Sequence, residues 1–278
     1  MAEKFPLPFV PTHIRPDGPG ETPLLFAFRR RELLVNEDGT LPSYADINSR
    51  GFEAVRTQYL GRYGESHCYS AEFPPDAEAP SGLAFRDLRM LFTSLESELH
   101  AVAGRAVQIV EWDRTHQFCG ACAKSTELSS SDRSRACPDC AIPAYPRLAP
   151  AMIVAVERED EILLGRSTHF PAGIFSVLAG FVEPGESAED AVVREVYEET
   201  RVVVDNVTYF GSQAWPYPNS LMLGFTARYV AGEIDCEHDE LEDAAWFRYD
   251  KLPNTFPGDI SISQWLLKDF IRRRNSAD

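Results

Sequence analysis

The chain has 278 residues and is poor in positive charge and in long apolar runs. Lysine and arginine number 27 against 43 aspartates and glutamates, a formal net charge of −16. A field of that sign repels a phosphate backbone and argues against a general DNA or RNA binder. It says less about small anionic substrates, because clustered carboxylates can hold divalent cations that reverse the local sign. The longest apolar run, Ala149–Val156, is broken by Pro150. It falls far short of the ~20 residues that span a bilayer, so no membrane partner is expected. The first residues show no apolar stretch and the last no targeting tripeptide, so a cytoplasmic location is the expectation. Repeats and low-complexity segments are also missing from the sequence. With 44% hydrophobic and 25% charged residues, the composition is that of a folded protein, not a disordered tail, a collagen or a coiled-coil rod. The length allows about two domains and a third small module.

The six cysteines do not read as a disulfide framework. Four form two pairs, Cys119-x-x-Cys122 and Cys137-x-x-Cys140, with 14 residues between them. Two such knuckles can bring four thiolates around one tetrahedral Zn²⁺. Gly120 and Pro138 inside the pairs suit the tight turns this requires. A zinc ribbon with a closed, structural metal is therefore expected. Cys68 and Cys236 stand alone and read as ordinary thiols, and the histidines at 13, 67, 100, 116, 169 and 238 show no ligand spacing.

The ribbon divides the chain into an N-terminal domain over 1–112, a ribbon over 113–146 and a C-terminal domain over 147–278. In the first, Leu24–Phe28 and Glu32–Val35 read as strands. Leu88, Leu91, Phe92, Leu95 and Leu99 recur at helical spacing that continues toward Val107 and Ile109, which predicts one helix. After the ribbon, Ala151–Val156 and Glu161–Gly165 read as a hairpin. Phe175–Leu178, Val202–Phe210 and Leu221–Tyr229 read as further strands. Ile262, Leu266 and Phe270 on one face make Ile260–Arg274 an amphipathic helix ending in three arginines.

The informative stretch runs from Gly180 to Val202. Gly180, Pro184 and Gly185 mark a sharply bent loop. Ser187 with Asp190 forms a capping-box variant that starts a helix at Ala188. Glu195, Glu198 and Glu199 then fall at i, i+3 and i+4, on one face with about 5–6 Å between neighbouring Cβ atoms. Ala188, Ala191, Val192 and Val196 make the opposite, buried face. Three like charges so close are either a solvated face or a cation site. The loop folding back, with Glu186 near Arg194, suits Mg²⁺ or Mn²⁺ and phosphate ligands.

The pattern Gly-x5-Glu-x7-Arg-Glu-apolar-x-Glu-Glu-x-x-apolar resembles the Nudix box, the signature of hydrolases acting on nucleoside diphosphates linked to another group. One signature position departs, since Arg201 stands where the family has a helix-ending glycine. A left-handed arginine there costs about 1 kcal/mol and bears on stability more than on metal binding. The ribbon and the segment Ser212-Gln213-Ala214-Trp215-Pro216-Tyr217-Pro218-Asn219-Ser220 make the chain similar to the NADH pyrophosphatase branch. Ala214 and Tyr217 replace that branch's proline and phenylalanine. The resemblance covers about residues 86–278.

It implies an α+β protein, a Nudix α/β/α sandwich preceded by the zinc ribbon and a mixed α/β N-terminal domain. It implies catalytic Mg²⁺ or Mn²⁺ at Glu195, Glu198, Glu199, Glu240 and the carbonyl of Ala179, and structural Zn²⁺ at the four cysteines. Glu198 or Glu199 would orient or deprotonate the attacking water. Tyr145, Phe181, Gln213, Ala214, Trp215, Pro216, Tyr217, Pro218, Asn219, Ser220 and Ser263 would line the dinucleotide site. Read alone, the single aromatics among them suit core packing equally well, and the Trp215–Tyr217 segment suits a rigid surface loop. Arg89 stands near a family arginine that reaches substrate, yet reads as a solvated helix residue. The implied reaction cleaves NADH or NAD⁺ to nicotinamide mononucleotide and AMP, with NAD-capped RNA 5′ ends as further substrates and a homodimer as the assembly. The alternatives are a Nudix hydrolase for ADP-ribose or dinucleoside polyphosphates, and a catalytically silent ribbon-based binding module.

Overall fold

The structure is a computed structural model that describes residues 9–18, 20, 22–49, 51, 53–236 and 241–276. The chain divides into two compact units, Met1–Arg147 and Leu148–Asp278. In the first, β1 (Phe9–Pro11), β2 (Leu24–Arg29), β3 (Glu32–Asn36), the short helix α1 (Tyr44–Ser49), β4 (Arg56–Tyr63), β5 (Ser66–Phe73) and β6 (Leu83–Asp87) precede helix α2 (Ser97–Thr115). The strands form one sheet in the order β1-β4-β5-β2-β3-β6. β2 lies parallel to β5, and its Leu25-Phe26-Ala27-Phe28 run is buried on both faces, as a central strand requires. Leu25 and Ala27 alternate onto the face that meets Ile47 of α1, with Tyr59 and Tyr69 beside them.

The single helix expected from Leu88 onward is two pieces. Leu88–Leu91 is one 3-10 turn, capped by the Asp87 carboxylate that accepts from the Arg89 amide at 2.8 Å. The amides of Ser94 and Leu95 both return to the Leu91 carbonyl, and Glu96 is extended before α2 starts at Ser97. The apolar spacing continues across this break because both pieces bury leucines, so periodicity could not reveal it.

The ribbon strands β7 (Glu127–Leu128), β8 (Arg135–Ala136) and β9 (Pro143–Ala144) complete the first unit. Arg135 reaches the buried Asp113 of α2 at 2.6 Å, and Asp113 also accepts from Gln58 at 2.8 Å and Gln117 at 3.0 Å. Arg133 donates to the carbonyls of Tyr59 at 2.7 Å and Thr12 at 2.6 Å. These bonds key the ribbon to the sheet and helix of its own unit.

The second unit contains β10 (Ala149–Arg158), β11 (Glu161–Ser167), β12 (Leu178–Phe181), α3 (Ala188–Thr200), β13 (Val203–Trp215), β14 (Ser220–Ala231), β15 (Leu241–Arg248) and α4 (Ile262–Asn275). The sheet order is β13-β14-β10-β11-β15, with β12 paired to β10. Met152, Val154 and Val156 of β10 pack against Ala191, Val192 and Val196 of α3. Ile153 and Ala155, on the other face, meet Ile262, Leu266, Leu267 and Phe270 of α4. One sheet between two helices is the α/β/α sandwich expected.

The two units share a connectivity that the sequence did not display as a repeat. In each, a first hairpin (β2–β3, β10–β11) is followed by a second (β4–β5, β13–β14). The second hairpin's last strand runs parallel to the first strand of the first hairpin. A final strand then adds outside the first hairpin, and a helix follows. The likeness lies in strand pairing, which widely different side chains can satisfy.

Three boundaries differ from expectation. The strand expected at Phe175–Leu178 lies at Leu178–Phe181, because Phe175 and Ser176 make only isolated bridges to Thr255 and Gly165. Gly180, read as part of a loop, is therefore inside a strand. The segment read as a Trp215–Tyr217 loop begins one residue inside a strand, since β13 stays paired to β14 through Trp215↔Ser220 and Pro216–Asn219 form the turn.

The helix ends as expected, with Arg201 left-handed at φ 61° and its amide on the Tyr197 carbonyl at 2.8 Å. Its guanidinium lies over the Tyr197 ring, 5.3 Å from the centroid. Arg201→Gly removes the backbone strain and loses that contact. The net stabilisation should be roughly 0.5–1 kcal/mol, raising the melting temperature of this unit by about 1–5 °C. A lower melting temperature in calorimetry would show that the ring contact outweighs the strain.

Candidate active site

Ser187 caps α3 as a full capping box. Its hydroxyl accepts from the Asp190 amide at 3.1 Å, and the Asp190 carboxylate accepts from the Ser187 amide at 3.3 Å. With Ala191, Val192 and Val196 buried against the sheet, Glu195, Glu198 and Glu199 share a neighbouring face of the helix, with Glu195 turned inward onto β12 and Glu198 exposed. The Glu195 carboxylate lies directly on Gly180 of β12, so closely that a Cβ at Gly180 would overlap it. A glycine is required there for close approach rather than for a turn. Gly185, at φ 96°, makes the turn instead.

Arg194 holds this face together. Its guanidinium bonds Glu186 at 2.5 and 2.9 Å, Glu198 at 2.9 Å and the carbonyl of Phe181 at 2.9 Å, and it pairs with Glu195 at 3.1 Å. Arginine beside it, helped by the Glu183 amide, pulls the Glu186 carboxyl down to about 2, and Glu186 in turn raises Arg194. Arg194 stands among the carboxylates as a counter-ion, and Glu199 is half-buried beside them. An all-oxygen donor set around a glycine cradle fits a hard cation such as Mg²⁺ or Mn²⁺. Ala179 precedes Gly180 on the same strand. Glu240, the further carboxylate expected, lies outside the described residues.

The aromatic segment sits at the tip of the β13–β14 hairpin. The Trp215 and Tyr217 rings meet edge to face with centroids 5.2 Å apart. Pro216 and Ser220 are buried, while Ala214 and Pro218 are exposed and Asn219 is half-buried. Gln213, expected to offer its amide to a ligand, commits both ends within the protein. It donates to the Ile260 carbonyl and accepts from the Ile262 amide, each at 2.7 Å. Ser263 is buried in the first turn of α4 with its hydroxyl 2.9 Å from that of Ser176. Phe181 is exposed beside the cradle. Sequence reasoning missed the Gln213 bonds because its partners lie 47 and 49 residues away, with no local signal.

In the first unit, the Sγ atoms of Cys119, Cys122, Cys137 and Cys140 all lie within 4.8 Å of one another. Tetrahedral Zn²⁺ at about 2.3 Å from each sulfur needs sulfurs about 3.8 Å apart, so the set fits that ion. The two knuckles repeat one geometry. Ala123 and Ala141 are left-handed, and their amides return to the carbonyls of Cys119 and Cys137. Amides of Ala121 and Cys140 point at the sulfurs of Cys119 and Cys137, both at 3.4 Å. Backbone amides of Ala121 and Cys122 bring the Cys119 thiol down to about 7, whereas the Cys122 and Cys137 sulfurs push Cys140 up to about 12. Four thiolates this close need a cation to share. Tyr145 is exposed, and its hydroxyl donates to Asp132 at 3.1 Å, a pairing the sequence did not suggest. The Arg89 backbone amide donates a hydrogen bond to the Asp87 carboxylate at 2.8 Å.

The chain is similar to known proteins along most of its length. Residues 146–266 match the NUDIX domain, 114–145 the NADH pyrophosphatase zinc ribbon domain, and 23–112 the NADH pyrophosphatase-like rudimentary NUDIX domain. The NAD-capped RNA hydrolase NudC of Pseudomonas putida strain W619 is 42% identical over 87% of this chain and 87% of its own. That of Pseudomonas aeruginosa strain LESB58 is 45% identical over 91% of this chain and 90% of its own. Among solved structures, a NUDIX hydrolase from Nitrosomonas europaea aligns with 58% of this chain and 94% of its own at 19% identity and a TM-score of 0.49.

Gly180→Ala should displace the Glu195 carboxylate by about 1 Å or more and lower turnover about 100-fold with saturating Mg²⁺, at little change in melting temperature. Wild-type turnover in that variant would mean the cradle is not part of the reaction. Cys140→Ser should lower the stability of the first unit, and metal analysis of the wild-type protein should find about one zinc per chain that survives mild chelation. Folded, active protein without zinc would remove the ribbon's metal role.

Proposed function

Because the chain belongs to the Nudix hydrolase family, in the branch that carries a NADH pyrophosphatase zinc ribbon, we propose that it hydrolyses the pyrophosphate of NADH and NAD⁺. The products are the nicotinamide mononucleotide half and AMP, and the same reaction removes NAD caps from RNA 5′ ends. The observation that carries this reading is the carboxylate face of α3 seated on Gly180 and braced by Arg194. Residues 1–112, 113–146 and 147–278 are its three domains. Among the described residues no helix is long and apolar enough to cross a membrane. A cytoplasmic homodimer is part of the same proposal.

Glu195, Glu198, Glu199, Glu240 and the carbonyl of Ala179 would hold the catalytic Mg²⁺ or Mn²⁺, which supplies positive charge to the pyrophosphate and to the developing phosphate. Glu198 or Glu199 orients the attacking water and takes its proton, so that hydroxide adds to phosphorus as the bond to the other phosphate's bridging oxygen breaks. Arg194 limits the freedom of Glu186 and Glu198, so the face is preorganised before substrate arrives. Trp215 and Tyr217 form a wall for a base, and Phe181, Ala214, Pro216, Pro218, Asn219, Ser220 and Ser263 complete the proposed dinucleotide contacts of this unit. The overall charge of −16 disfavours extended contacts along RNA, so a capped transcript is recognised mainly through its NAD end.

Glu199→Gln should lower kcat by at least ~100-fold, and Glu198→Gln severely, with folding intact in both. Trp215→Ala should lower kcat/KM for NADH by about 5- to 150-fold, the equivalent of one lost stacking contact, with a smaller change for ADP-ribose. Equal losses on both substrates, tracking a fall in melting temperature, would leave a Nudix hydrolase but remove the NADH assignment.

A further inference from the structure

Gly165 is buried in β11 with an ordinary strand backbone, so neither a turn nor a left-handed conformation accounts for a glycine there. Close approach does. A Cβ added at Gly165 would lie 2.9 Å from Leu178 Cδ2 and 3.1 and 3.2 Å from the Cδ1 and Cδ2 atoms of Leu241. Leu178 opens β12, which is paired to β10, and Leu241 opens β15, which is paired to β11. Two different strands thus place a leucine in one gap. Leu178 belongs to the core cluster of Ala191, Val192 and Val196, and Leu241 packs against that cluster, so the gap lies on the α3 side of the sheet.

Backbone contacts tighten the same junction. The amide and carbonyl of Gly165 both pair with Ser176, at 2.9 Å each, two residues before Leu178. On the facing strand the register slips between Arg166 and Ser167, which leaves Glu242 as an extra residue, and Arg166 holds that residue in an ion pair. Bulges of this kind redirect the side chains beside them. Both leucines adjoin residues that the reading above gives to the cation. Leu178 precedes Ala179 and shares a face of β12 with Gly180, on which Glu195 rests. Leu241 directly follows Glu240 in the chain.

We propose that Gly165 is a positioning residue for the metal centre. The space left by its missing side chain seats Leu178 and Leu241, and so sets the height of the Ala179–Gly180 backbone beneath Glu195. Gly165 touches neither the ion nor its ligands, and its role rests on the metal-site reading above. A side chain in the gap pushes the leucines apart within a packed core, and β12 moves with Leu178. A small hard cation such as Mg²⁺ demands near-ideal ligand geometry, so a shift of that backbone is read as lost affinity.

The test is direct Mn²⁺ binding, followed by the paramagnetic resonance signal of the free ion, in the full-length protein carrying its zinc. Wild type is compared with Gly165→Ala, Leu178→Val, Gly165→Ala/Leu178→Val, Gly224→Ala and Glu199→Gln, each with its melting temperature. Gly165→Ala should weaken Mn²⁺ binding about 10-fold, the usual scale for groups that hold ligands in place. Leu178→Val removes the carbon that the new methyl would strike, so the double variant should return to within about threefold of wild type. Gly224→Ala crowds Ile262 on the opposite face of the same sheet and should lower the melting temperature with Mn²⁺ affinity unchanged. The proposal is overturned if Gly165→Ala binds Mn²⁺ as wild type does, whatever its melting temperature. It is overturned as well if Gly224→Ala weakens binding equally, or if the double variant stays as weak as Gly165→Ala. Glu199→Gln separates this role from the reading beneath it. Weaker binding there, with wild-type binding in Gly165→Ala, removes only the positioning role, whereas wild-type affinity in Glu199→Gln removes the metal centre and the positioning role with it.

Discussion

The chemistry of the second unit depends on one cation placed among four carboxylates. Glu195, Glu198 and Glu199 on one helical face repel one another, and Glu186 adds a fourth charge from the loop. Arg194 satisfies this face with the fork geometry that only a guanidinium offers, reaching two helix glutamates, Glu186 and a strand carbonyl together. The same group ties the loop before α3 to the helix. The bonds of Arg194 are partly exposed, so their role is geometric more than a large contribution to stability.

Close approach is the second constraint. Gly180 lets a carboxylate rest on the sheet, and Gly224 lets Ile262 do so on the other face. Both glycines lie in strands, where glycine weakens the strand and has to be explained by what comes near it. In this unit each marks the place where a helix carries site residues down onto the backbone.

The first unit uses the same strand connectivity for a different end. Where the second unit has thirteen residues of carboxylate helix, the first has the six-residue α1. Its own polar centre is the Asp113–Arg135 pair, with side chains 4% and 10% exposed. A buried ion pair of this kind costs several kcal/mol in desolvation and stands only because Gln58, Gln117 and Thr126 complete its hydrogen bonds. Registry between helix and ribbon, rather than net stability, is what such a pair provides. The four-sulfur site is then held by a scaffold already keyed in place by Arg133 and Arg135.

Local signals made much of this legible in the residues themselves. The CxxC pairs, the Ser187 capping box and the i, i+3, i+4 glutamates are encoded within a few turns of chain, and the structure has them where the spacing put them. The left-handed Arg201 likewise follows from a helix end that any residue there must close. What only the tertiary structure decided were contacts between distant segments. Gly180 lies in a strand because β10 pairs with it, and Trp215 ends a strand because β14 continues beside it. The helix break before Ser97 was hidden because leucines are buried on both sides of it. Gln213 faces α4 because a partner 49 residues away supplies its amide. A periodic pattern reports which side of an element is buried; it carries no information about what arrives to cover it.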